Sequence, residues 1–470
     1  MKESQTKIFE SDNIWASIFK MVVPALIAIL VMLIYNMADM IFVGQTGDTA
    51  QVAAVSVVSP VFSLIMAVAM LISGGGIVII ARDLGAKDLE HARMSASLCM
   101  WAAVVLGILS GVFVVLFQKP LLSFLGTTSD MEAFARTYMI ILACGAPFLM
   151  ISNMLGQVLR AEGAVKEGLI GNLLGTILNI ILDPIFILYF HMGVTGAAVA
   201  TVIGNFAATI YYFHYMVKKS QILNMDMRYV KKEPLYIFSI MALGLPTAVS
   251  TMLSGFAGSI GNQLLSKYGS DAIAANAAAG RVNLIIIMVL MGICMGAQPL
   301  MSYNYGAGNM KKLSGVMKRL FLLSSLVGLG VTVVVILLRG PVIGLFLQEA
   351  EVAKMAERVL TIIMFSSPFI GIFYLSTNFL QATGEAMKAT VLSALQKGVI
   401  LIPMLYVMEY FFGLMGIRYA YVMADFSAII IGGILLIVSW KKCTEKFKNN
   451  SKEDNCISIT MDDRKRKKAI

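Results

Sequence analysis

The segment VVPALIAILVMLIYNMADMIFVG, residues 22–44, is apolar over the length of a bilayer core, yet it carries a carboxylate, Asp39, near its end. About 20 apolar residues cross the ~30 Å hydrocarbon layer as a helix. A charged group inside that layer costs roughly 2.5–3.5 kcal/mol on insertion scales. Asp39 therefore needs water, an ion or a partner to be where it is. Both parts of this reading, the span and the buried acid, extend to the rest of the chain.

The 470 residues are 58% hydrophobic and 14% charged, with a mean hydropathy of +0.82. A soluble chain of this length carries more charge to cover its surface. Apolar runs predict an all-α polytopic membrane protein with twelve spans, at 17–43, 52–80, 95–117, 136–159, 169–190, 193–217, 236–265, 272–303, 315–338, 355–381, 389–411 and 416–439. An even number puts both termini on one side. The connections on that side, with the tails, hold 29 of the 37 Lys and Arg, which predicts cytoplasmic termini in a plasma membrane. The same bias accounts for the net charge of +10 without a nucleic-acid partner.

Nothing at the start reads as a cleavable leader, because the first 20 residues are polar and mixed. Five scattered cysteines without a CxxC predict neither a disulfide framework nor a zinc site. There is no GxxxxGK[ST], nucleophile elbow or His/Glu cluster, so neither ATP use nor an enzymatic centre is expected.

The chain repeats about the polar linker at 218–235. Pro24 in VVPALIAIL (22–30) falls against Pro246 in GLPTAVSTM (244–252), 222 residues on. TGDTAQVAA (46–54) faces YGSDAIAAN (268–276), LGAKD (84–88) faces YGAGN (305–309), and Pro147 faces Pro368. LRAEG (159–163) pairs with LQATG (380–384), and VIGNFAA (202–208) with VMADFSA (422–428), where the offset is 220. Six helices per half, an even number, make these parallel repeats. The expected organisation is a tail at 1–16, a first lobe at 17–217, the linker, a second lobe at 236–440 and a polar, unstructured tail at 441–470. Two such lobes suit an alternating-access carrier.

Three acids lie well inside the spans: Asp39, Asp183 and Asp425. At 1.5 Å per residue, Asp39 is about 6 Å and Asp183 about 10 Å from the outer end of its helix. In LLGTILNIILDPIF (173–186), Asn179 shares a face with Asp183, and Pro184 loosens the carbonyl of Ile180 or kinks the helix. Carboxylate, amide and freed carbonyl make an oxygen set for a small cation. Asn36 and Tyr35 lie one turn before Asp39, and Thr201 sits at a compatible depth on the sixth helix. A single Asn or Thr in a membrane helix is more often interhelical glue, which is the plainer reading of Thr201 and Asn205. Asp425 stands at the position of Asn205 in the repeat and suits either a second protonatable group or a structural acid held by hydroxyls. Among 33 Met residues, Met37, Met40, Met66, Met70, Met288, Met291 and Met295 suit either an adaptable pocket or ordinary gap filling.

YNMADMIFVG on the first helix, NIILDP on the fifth and the paired turns ARDLGAKD/SYNYGAGN and RAEG/QATG resemble the multidrug and toxic compound extrusion (MATE) family, over about 15–440. Within it the pattern is most similar to the bacterial MepA-like branch. The resemblance implies two six-helix bundles around a central cavity, working as a monomer without a cofactor. It implies export of amphipathic, often cationic small molecules in exchange for Na⁺ or H⁺. It assigns the ion to Asp39, Asn179 and Asp183, which would be the metal ligands if sodium couples, with Thr201 as sixth-helix partner and Tyr138 as a further member. Acids used by other members on the seventh and tenth helices are missing. The rival readings are a lipid-linked saccharide flippase of the same superfamily and a non-transporting scaffold. Few basic residues lie inside the spans, Arg281 being the main exception, and this weighs against a polyanionic lipid.

Overall fold

The computed structural model describes residues 6–45, 48–220, 222, 226–347 and 349–467, with side chains up to residue 448 except at positions 36, 37, 40, 44 and 49. The first six spans are α1 (Ile14–Gly44), α2 (Thr49–Gly85), α3 (Leu89–Leu116), α4 (Ser129–Glu162), α5 (Val165–Pro184, continued as a π-turn over Ile185–Tyr189) and α6 (Val194–Lys218). The next three are α7 (Tyr236–Leu265), α8 (Ser270–Gly296 and Gln298–Gly306) and α9 (Met310–Leu337). Then come α10 (Ala350–Met364 and Ser367–Ala382), α11 (Ala386–Ala394, a π-turn over Leu395–Val399, then 401–412) and α12 from residue 414.

Two expected spans are broken where the sequence places a proline that cannot continue the hydrogen-bond ladder. α8 breaks at Ala297, ahead of Pro299, and the halves of α10 meet at 45° ahead of Pro368. Ala386–Lys448 runs for 63 residues without a gap in helix, which would be about 95 Å if straight, three times the bilayer core. It doubles back at Gly413, whose φ of 57° and ψ of −136° only glycine adopts readily. A Cβ on Gly416 would stand 1.8 Å from the Met408 carbonyl oxygen, so α11 and α12 are antiparallel neighbours.

The same turns recur in both halves. Gly193, between α5 and α6, has φ 55° and ψ −135°, matching Gly413 at an offset of 220. Lys87 and Gly308 are both left-handed, and the residues after them, Asp88 and Asn309, cap α3 and α9 by accepting from His91 N at 2.9 Å and Lys312 N at 3.0 Å. Packing repeats as well. α1 on α5 answers α7 on α11, and α4 on α6 answers α10 on α12. The lobes meet through α2 against α7 and α1 against α8, contacts that the repeat also exchanges.

That meeting is tight only at the end bearing the termini. A Cβ on Gly75 would stand 1.8 Å from Ile240 O, one on Gly244 2.0 Å from Leu71 O, and one on Gly85 2.0 Å from Tyr303 O. At the far end, Gly255 and Gly258 of α7 and Gly280 of α8 have nothing within 4 Å. The lobes are thus closed at one end and parted at the other.

Both tails are more ordered than their composition suggested. A short helix, Lys7–Glu10, docks on α8: Phe9 stacks on Tyr303 at 4.8 Å, and Tyr303 Oη donates to Glu10 Oε1 at 2.9 Å. α12 passes the expected boundary at 440 and is helical to Lys467, with Phe447 edge-on to Tyr305 at 5.6 Å. No Pro or Gly lies between Trp440 and Lys467 to stop it.

Candidate ion-coupling site

α1, α4, α5 and α6 bring most of the expected residues to one place in the first lobe. Asp183 is fully buried and Asn179, Thr201 and Tyr138 nearly so. Tyr35 and Tyr138 both lie within electrostatic reach of Asp39 and Asp183, and the two acids of each other. The side chain of Asn36 lies outside the described residues.

Thr201 ties the helices together. Its hydroxyl donates to Ala197 O at 3.0 Å, which uses its one proton. Its lone pairs then accept from Asn179 Nδ2 at 3.4 Å and from the Tyr35 phenol at 3.3 Å. Asn205, one turn further, donates to Thr201 O at 2.9 Å and accepts from Ser152 Oγ at 3.0 Å. The Asn205 side chain thus bridges α4 and α6.

The acids are different. Asp39 Oδ1, Asn179 Oδ1 and both carboxylate oxygens of Asp183 are buried with no hydrogen-bond partner among the described residues. Buried polar atoms are almost always satisfied, because an unpaired one bears its full desolvation penalty. All four atoms are acceptors, and a proton, a cation or the O–H of a water would each satisfy them. An all-oxygen set of carboxylates and amide suits a hard cation such as Na⁺, and equally a proton. Among the described residues no three His, Cys, Asp or Glu side chains gather.

Tyr35, Asn179, Thr201 and Asn205 also line a cavity of about 330 Å³ within the first lobe, whose lining does not include Asp39, Asp183 or Tyr138. One wall is apolar and adaptable, with Met32, Phe62 and Met66, and the other polar, with Asn153, Asn172 and Thr176 beyond Asn179 and Thr201. Sequence reading missed Asn172 and Thr176, although the signal was present: 172, 176, 179 and 183 follow helical spacing along one face of α5. A π-turn over Ile185–Tyr189 follows Pro184 directly.

Asp425 is not a second copy of this site. Ser366 Oγ donates to its Oδ2 at 2.9 Å and Gln396 Nε2 to its Oδ1 at 2.9 Å. Lys397 stands within electrostatic reach. Lys397 falls in the stretch first counted with the cytoplasmic connections, but the π-turn of α11 carries it beside Asp425 inside the lobe. It is a second basic residue within the spans besides Arg281. A third, Arg418, lies over the Tyr421 ring at 5.1 Å.

A membrane bundle of two repeated six-helix lobes, closed against each other at one end and parted at the other, has the layout of a membrane carrier. The sequence pattern of the MatE family matches residues 24–185 and again 246–407, the second match displaced by 222. The chain therefore belongs to the MATE family, which are membrane transporters and not enzymes. It is 30% identical over 437 residues to the multidrug export protein MepA of Staphylococcus aureus, covering 93% of this chain and 96% of that one. It is 32% identical over 426 residues to MepA of Staphylococcus saprophyticus, covering 90% and 94%. A solved MATE transporter of the MOP superfamily in an outward-facing conformation superposes with a TM-score of 0.88, at 24% identity, over 95% of this chain and all of that one.

Proposed function

We propose that the protein is a secondary antiporter that exports amphipathic, often cationic compounds in exchange for Na⁺ or H⁺, with Asp39 and Asp183 as the exchange point. The observation that carries this is the set of buried oxygens of Asp39, Asn179 and Asp183 that have no hydrogen-bond partner among the described residues, with Asn179 also lining the first-lobe cavity. Two uncompensated carboxylates attract a cation, while Met32, Met66 and Phe62 offer an apolar wall that accepts varied shapes. The export of several drugs named for the MepA relatives fits this pocket.

In this reading the termini are cytoplasmic and the structure faces outward. A coupling ion entering from outside takes the oxygens that a cationic drug had neutralised and favours its release. Only a differential affinity of this kind moves the equilibrium between the two faces. Lys397 is compensated by Asp425 and Arg418 covers an aromatic face, so neither makes the cleft a receptor for a polyanionic lipid. Equilibrium binding of a fluorescent cationic dye to the purified protein tests the assignment. Either Na⁺ or acid should release the dye from wild type, and Asp183→Asn should bind it at least roughly tenfold more weakly with no ion effect. Dye binding that ignores both ions in wild type would refute the exchange point.

A further inference from the structure

A second cavity, of about 520 Å³, lies at the end of the second lobe away from the termini, lined by Arg339, Lys354, Glu357, Arg358, Thr361 and Ile362 with Met415 and Tyr419. We infer that it is a binding site for the phosphate-bearing headgroup of an anionic membrane lipid, independent of the ion-coupling site.

Charge carries the first part of the argument. Only 8 of the 37 Lys and Arg are not on the side of the termini, and two of these, Arg281 and Arg418, lie within spans, in keeping with the bias that keeps basic residues off the translocated face. Three of those eight, Arg339, Lys354 and Arg358, line this one cavity. Arg339 opens the short helix Arg339–Gly344 after α9, and Lys354 and Arg358 lie one turn apart at the start of α10, so the turn between the two helices brings Arg339 to the other two. Glu357 is the one acid in the lining and is engaged by Arg339 at 3.5 Å. Lys354 reaches Glu351 at 3.2 Å, but that carboxylate is 83% exposed, and a pair so open to water leaves the lysine charge available. No ion pair holds Arg358 among the described residues. The cavity is therefore left positive. An arginine fork and an ammonium suit phosphate oxygens better than any neutral ligand.

The surroundings decide between a lipid and a dissolved anion. Tyr410, Phe411 and Phe412 at the α11–α12 turn stand exposed, Phe412 against Tyr419 at 5.6 Å. Leu337 and Leu338 at the end of α9 and Leu345 after it are exposed too. Aromatic side chains with an apolar flank below and cations above mark headgroup level. Within the lining, Ile362 and Met415 are the surfaces on which acyl chains would lie. A site for a soluble anion would have no use for this apolar collar.

Native mass spectrometry of the detergent-purified protein, after exchange into phosphatidylglycerol or phosphatidylcholine with identical chains, tests the inference. Wild type should retain phosphatidylglycerol preferentially, and the same lipid should raise its melting temperature. Arg358→Gln and Lys354→Gln should each weaken retention by roughly tenfold. Lys119→Gln, another exposed cation on that side, should not. Arg358→Lys keeps the charge and should keep most of the lipid, which separates loss of charge from loss of fold. Equal retention of both lipids, equal retention by the Gln variants, or the same stabilisation by inorganic phosphate or glycerol 3-phosphate would each overturn it.

Discussion

The phenol of Tyr35 on α1 lies 3.3 Å from the hydroxyl of Thr201 on α6, and that hydroxyl also receives the amide of Asn179 on α5. Because Thr201 has given its only proton to Ala197 O, the phenol is the donor, and the contact joins the helix of Asp39 to the helix beside Asp183. Thr201→Val keeps the shape and removes both acceptances. Each contact of this kind is worth about 1 kcal/mol net. Ion-driven efflux should therefore fall by roughly fivefold in Tyr35→Phe and further in Thr201→Val. The double variant should be no worse than Thr201→Val alone, since one contact is counted in both. Additive losses in the efflux rate would show that Tyr35 acts elsewhere.

Asp425 has donors on both oxygens and a lysine in range, so its expected role is to hold α10, α11 and α12 together. Asp425→Asn should lower stability by roughly 1–3 kcal/mol, the worth of hydrogen bonds to a charge, while coupled efflux persists. Lys397→Met added to it should recover part of the loss by removing the stranded charge. Thermal melts and efflux on the same preparations check both statements. Loss of coupling at full stability would move Asp425 into the ion path.

The closed end rests on glycines that face backbone across the lobes. Gly75→Ala and Gly85→Ala each put a methyl about where a carbonyl oxygen of the other lobe now stands, and backbone cannot yield as a side chain does. Both variants should fold but favour the state open at the termini. Hydrogen–deuterium exchange should rise in α7 around 240–247 and in the second half of α8, and transport should stop. Unchanged exchange with normal transport would mean that these contacts do not gate the cleft.

Gly193 and Gly413 share one backbone conformation, and holding alanine there costs about 1–3 kcal/mol. The surroundings rank them. A Cβ on Gly193 would stand 2.0 Å from Gln51 Oε1, which accepts from Val194 N at 3.0 Å. A Cβ on Gly413 meets only the Tyr268 ring system at ordinary distance, 3.6 Å. Gly193→Ala should therefore lower the melting temperature more than Gly413→Ala. The reverse order would contradict the Gln51 contact.

Much of this was legible because a membrane imposes few choices. Span length and the paired motifs at offsets of 220–222 fixed the helices and their two-fold repetition, and the match of one family pattern to both halves bears that out. The acids stood out since charge in an apolar run is expensive. Less visible was anything that depends on which face a helix turns. The polar stripe from Asn172 to Asp183 lay in plain spacing, but Ser152 and Asn153 of α4 join the site only through packing. Lys397 already fell inside the expected span 389–411, but only the packing of α11 shows it in reach of Asp425. The docking of Phe9 on Tyr303 and of Phe447 on Tyr305 joins residues 294 and 142 positions apart, which composition alone cannot relate.

The most direct test of the central claim is dye efflux from proteoliposomes with a Na⁺ gradient and a pH gradient imposed separately, for wild type and Asp39→Asn. Coupling through the acid pair predicts dye movement driven by at least one gradient in wild type. It predicts no driven movement in Asp39→Asn, although that variant inserts and melts normally. Full gradient-driven efflux by Asp39→Asn would contradict it.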